Sequence, residues 1–111
     1  MNINYQDINW DSIDKVEYNG TTGIAYWQTI QYPGLRIRIV EYSANYEADH
    51  WCEKGHIVHC LEGEFESHLI NGGFSTLYKG MSYVVSDGMS SHKSISEKGC
   101  KLIIIDGDFL K

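Results

Sequence analysis

The chain has 111 residues, a length that fits one domain built round a single core. Apolar residues make up 42 % and charged residues 22 %, the balance of a folded globular protein and not of a disordered one. A net charge of −6, with no basic cluster or basic helix along the chain, opposes binding to nucleic acid or anionic lipid, so neither is expected as a partner.

Residues 1–20 are polar with scattered apolar positions. They are expected to form an N-terminal segment, a short helical turn or an edge strand, packed on a domain of residues 21–111. The start lacks a charged region followed by an apolar run, so no secretory leader is expected. Cys52, Cys60 and Cys100 are an odd number, which favours reduced thiols in a cytoplasmic protein. Within the segment, residues 9–13 predict a helical turn capped by Asn9 or Asp11.

Gly20 to Gly23 reads as a turn, and residues 24–30, rich in aromatic and β-branched types, read as a strand. Tyr32-Pro33-Gly34 is a turn with proline in its favoured place. Residues 35–42 then alternate strictly, with Leu35, Ile37 and Ile39 on one face and Arg36 and Arg38 on the other. The alternation is expected to turn the arginines outward into edge salt bridges. Facing inward, they would instead receive a carboxylate bidentately. Further strands are expected at 56–61, stopped by Glu62-Gly63, and at 64–70, 74–78, 81–85 and 100–105. Asn71-Gly72-Gly73 makes a hairpin turn between two of them. No apolar run approaches the length of a membrane span. Long helical periodicity is absent, and short strands with closely spaced glycine turns predict an all-β sandwich or closed barrel.

The stretch DHWCEKGHIVHCLEGE, residues 49–64, concentrates three histidines and two cysteines. Strand parity sorts them. His50 and Cys52 share a face, as do His56, Val58 and Cys60, while Ile57, His59 and Leu61 share the opposite one. His56 and His59 therefore do not meet without a bulge. His92 is remote in sequence but can reach the same point across a barrel. The candidate metal ligands are thus His50, Cys52, His56 and His92, a set that suits Zn²⁺, Ni²⁺ or Fe²⁺. The plain alternative is that these are core side chains that happen to titrate. His59 and His68 read as structural or surface residues, Cys60 and Cys100 as core, and Asp49 as an acceptor that orients an imidazole or as a solvated acid.

The stretch from His50 to Gly63, followed by Gly80 and His92, resembles the two sequence motifs of the cupins. More narrowly, ADHWCEKGHIVHCLEGE (48–64) with GMSYVVSDGMSSH (80–92) is similar to the small bacterial cupins named for a DHCW motif. The resemblance spans residues 22–105 and implies a single conserved jelly-roll barrel and a homodimer. It sets His50 at the first histidine position of the first motif, Cys52 at the second, His56 at the glutamate position, and His92 at the last histidine of the second motif. Cys52 and His56 depart from the common pattern, which leaves both the metal and the reaction open.

Other chemistries find less support. No strand-to-helix G-x-S-x-G elbow and no phosphate-cradling loop is present. Cys52 and His56 are spaced to touch as a thiolate–imidazole pair, but no third orienting group can be named. Two functions of different class follow. One is a metal-dependent enzyme acting on a small molecule at the barrel mouth, for which no particular base can be named, though a Glu or Tyr there could serve. The other is a non-catalytic module that senses a metal or binds a ligand.

Overall fold

The computed structural model describes residues 2–111. It contains nine strands: β1 (Val16–Asn19), β2 (Ile24–Tyr32), β3 (Leu35–Tyr42), β4 (Tyr46–Glu47), β5 (His56–Leu69), β6 (Phe74–Tyr78), β7 (Ser82–Val85), β8 (His92–Ser96) and β9 (Cys100–Gly107). Two short 3-10 turns, Trp10–Ser12 and Asp108–Leu110, are the only helical pieces among the described residues. In the first, Asn9 Oδ1 accepts from the Asp11 N–H at 3.2 Å, so Asn9 is the cap of the two candidates the sequence offered.

Every strand pairing is antiparallel, along the path β1-β2-β3-β9-β5-β8-β4, with β6 and β7 also on β5. The two strands expected at 56–61 and 64–70 are one bent strand. Its first half pairs with β9 and β7, its second with β6 and β8. Glu62-Gly63 bends it instead of ending it. The register with β9 shifts between Cys60 and Glu62, and Gly63 takes φ +75 beside the Gly99 carbonyl, where a Cβ would stand 2.6 Å from that oxygen. One chain segment thereby serves both walls of the barrel.

The core lies between those walls. Ala25, Val40, Val58, Leu102 and Ile104 line one, Phe65 and Leu77 the other, and all are buried. Burying a side chain of this size contributes about 1.5–3 kcal/mol. β9 alternates buried and half-buried along its whole length, with Cys100, Leu102, Ile104 and Asp106 inward. In β5, His56, Val58 and Cys60 are buried and Ile57 and His59 are not, the parity expected.

β3 reverses the expectation for its arginines. Arg38, Val40 and Tyr42 point into the barrel with Arg36, and Arg38 is only 4 % exposed. The outward residues make an apolar row in register across five strands: Ile30, Ile37, Ile105, Ile57 and Val84. Cross-strand pairing of β-branched side chains stabilises that outer face. The guanidinium groups are accepted inside because a buried carboxylate, Asp106, waits for them. On the outer face the N-terminal segment lies over β2, where Gln28 Nε2 donates to the Trp10 and Ile13 carbonyls at 2.6 and 2.9 Å.

Candidate metal centre and its pocket

Backbone pairing joins the two remote parts of the chain. The Cys52 N–H donates to the His92 carbonyl at 2.7 Å, and the His92 N–H to the Cys52 carbonyl at 3.0 Å. Residues exchanging both bonds lie directly opposite, so their side chains emerge on one face. This pairing is out of step with its neighbour. Tyr46 pairs with Ser96 and Glu47 with Ile95, a register that, continued, would set His50 opposite His92. Two extra residues are accommodated between Ala48 and Cys52, and the slip puts Cys52 there instead. The His50 side chain is left 75 % exposed, its Nδ1 2.6 Å from Asp49 Oδ1.

His56 enters from the first residue of β5. Gly55 permits the close approach just before it, since a Cβ at that position would lie 2.6 Å from both the Val85 carbonyl oxygen and the Asp87 nitrogen. The ligand atoms of Cys52, His56 and His92 then lie within 4.8 Å of one another. Cys52 Sγ is 3.4 Å from His56 Nε2, and the two imidazole rings meet edge to face with centroids 5.2 Å apart. The structure thus brings together three of the four expected ligands. His50 stands apart at the mouth of the same pocket. His59 points outward to Ser82 Oγ at 2.7 Å, and Cys60 and Cys100 are core.

Both imidazoles are oriented. His92 Nδ1–H donates to the Ser90 carbonyl at 2.8 Å, which leaves Nε2 as the lone pair; that atom is buried and has no hydrogen-bond partner. His56 Nδ1 is 3.0 Å from Asp106 Oδ2, so its Nε2 also faces the cluster. A carboxylate or carbonyl behind each imidazole is the usual support of a metal ligand. Burial opposes ionisation of the Cys52 thiol, but in the metal-free protein a proton on His56 Nε2, 3.4 Å away, outweighs it and lowers its pKa to about 5. It is therefore a thiolate at neutral pH, the form that ligates metals. The donor set of two imidazole nitrogens and one thiolate fits a divalent ion such as zinc.

Asp106 went unread in the sequence. The inward alternation of Cys100, Leu102 and Ile104 carries one residue past the expected strand end, and that was the available signal. β3, β9 and β5 set Arg36, Asp106 and His56 side by side. Arg36 donates through Nε and Nη2 to the two carboxylate oxygens at 2.9 Å, and Arg38 Nη2 donates to Oδ2 at 3.0 Å. Burial works against its ionisation, yet His56, Arg36 and Arg38 hold the Asp106 carboxyl well below the usual carboxylate range.

Cys52, His56, His92, Arg36 and Arg38 line a cavity of about 240 Å³ at the barrel mouth. Trp27, Val58, Tyr83, Leu102 and Ile104 supply its apolar wall, and Arg38 Cζ lies 4.4 Å from the Trp27 ring centroid. Lys93 Nζ sits 4.9 Å from the Trp51 ring, at its rim. Among the described residues no glutamate or aspartate lines the cavity, and burial raises the Tyr83 pKa, so Tyr83 is a neutral phenol.

No family model and no curated protein matches the chain. Solved structures do. An RmlC-like cupin from Shewanella frigidimarina superimposes with a TM-score of 0.78 at 17 % identity, over 94 % of this chain and 91 % of that one. Ectoine synthase from P. lautus gives 0.75 at 18 %, over 93 % and 78 %. A predicted oxalate decarboxylase from Thermotoga maritima gives 0.76 at 13 %, over 92 % and 99 %. At these identities the likeness is one of fold.

Proposed function

We propose that this chain, a single small domain with the cupin fold, binds one divalent metal ion at the barrel mouth and uses it on a small molecule held in the adjoining pocket. The ligands are Cys52 Sγ, His56 Nε2 and His92 Nε2. The observation that carries the reading is the buried, unpartnered Nε2 of His92, aligned by Ser90 towards a thiolate and a second oriented imidazole. A buried acceptor without a donor is a loss of about 1–3 kcal/mol that coordination would remove.

Such an ion supplies a Lewis acid that polarises an oxygen of the bound molecule. The protein's own part is to hold both imidazoles in one tautomer through Asp106 and Ser90, and to keep Cys52 ionised. Zinc, iron and nickel all accept this donor set. Three protein donors leave a coordination position for a ligand, which favours a metal-dependent enzyme over the non-catalytic sensing module. His50, 75 % exposed at the mouth, becomes a fourth ligand only by moving inward, and its capture would favour the sensing role.

Metal analysis of protein purified without an affinity tag tests this. The expected result is about one ion per chain, lost in His92→Ala and in Cys52→Ala and unchanged in His59→Ala, with Co²⁺ reloading producing a thiolate charge-transfer band. Wild-type protein that takes up no ion, or a His92→Ala protein that keeps it, would overturn the assignment.

A further inference from the structure

The wall of the pocket has a charge opposite to that of the molecule. The chain carries a net charge of −6, yet Arg36, Arg38, Lys54 and Lys93 all line this cavity and no carboxylate does. Asp106 lies behind the arginines, 1 % exposed, and its single charge is shared by two guanidinium groups and His56. Lys93 has Glu47 at 3.4 Å, but Lys54 has no acidic partner among the described residues.

Arg38 is the telling group. It is 4 % exposed and lines the cavity, its guanidinium rests on Trp27 at 4.4 Å, and its Nε–H has no acceptor. A buried, charged N–H left without an acceptor is expensive and is usually explained by a missing partner. Arg38 Nη2 and His56 Nδ1 bond to the same oxygen, Asp106 Oδ2, so this donor lies beside the metal-ligand group. We infer that the pocket takes a small organic acid: its carboxylate accepts from Arg38 and Arg36, and its carbon skeleton lies against Trp27 and the apolar wall. Planar guanidinium donors match a carboxylate in two-bond fashion, and the cavity of about 240 Å³ limits the ligand to a few carbons. The inference names the ligand class of the pocket proposed above, but the ion is not needed for it.

Malonate is a suitable probe, with malonamide as the uncharged match and inorganic phosphate as the anion without a carboxylate. Binding is measured by calorimetry on EDTA-treated protein and again after reloading with Zn²⁺. Malonate is expected to bind the metal-free protein, with malonamide and phosphate each weaker by about tenfold or more. Arg36→Gln should weaken malonate about tenfold and Arg36→Lys less, measured on the metal-free protein. Arg36 suits this test because its loss leaves Arg38 and His56 on Asp106, and a thermal melt verifies the fold. Malonamide or phosphate binding as well as malonate would overturn the inference, as would an Arg36→Gln protein with wild-type affinity. Malonate binding only after Zn²⁺ is added would also overturn it. Failure of Zn²⁺ uptake with malonate still bound would remove the metal reading alone.

Discussion

Asp106 touches three cationic or ionisable groups at once, and its loss separates support from ligation. Asp106→Ala strands two guanidinium groups, one of them fully buried, and is expected to cost about 3–5 kcal/mol in a urea melt. It also frees the His56 ring, so ion affinity should drop about 10–100-fold although no ligand is removed. Cys52 provides the pH test. With its pKa near 5, alkylation by iodoacetamide in EDTA-treated protein should be flat from neutral to alkaline pH and fall only as acid protonates the sulfur near that value. An ordinary thiol would instead gain reactivity up to its usual range, about 8.5. At this scale the sequence was partly legible. Parity placed His56 inward and His59 outward correctly, because period 2 is a local property of any strand. His50 and the arginines lay beyond that logic. One depends on a register slip opposite His92, the others on a carboxylate about seventy residues away.

At the scale of elements, β5 is the strand on which the site depends. It carries His56 at one end, bends at Gly63, and pairs with four other strands. Gly63→Ala places a side chain at φ +75 and against the Gly99 carbonyl, so a destabilisation of about 1–3 kcal/mol is expected from chemical denaturation. The sequence reads Glu62-Gly63 as a strand end, since glycine after a polar residue is the common turn signal. Only the pairing of both halves with different neighbours shows it to be a bend. The strands β4 and β8 also escaped the reading, while β1 is an edge strand within the N-terminal segment, as expected there. β4 is two residues long, and β8 sits in a serine-rich stretch whose pattern is weak.

For the whole molecule, the open expectation is the homodimer implied by the cupin resemblance. The outer row from Ile30 to Val84 offers an apolar face, with Ile57 37 % and Val84 69 % exposed. Light scattering should return twice the chain mass of 12.7 kDa, and Val84→Lys should return it to one. A wild-type mass of one chain would reject the dimer. No helix among the described residues is long and apolar enough to cross a membrane.

The sequence by itself determined the strand class, most of the strand positions and the identity of the chemistry-bearing side chains. Alternation, turn residues and residue type are all written within a few positions of the chain. Tertiary structure decided which of those side chains meet. A two-residue slip between Ala48 and Cys52 exchanged His50 for Cys52 opposite His92. A buried aspartate at the end of β9 drew two arginines into the barrel and oriented an imidazole. Both are effects of long-range register, and register is set by the partner strand.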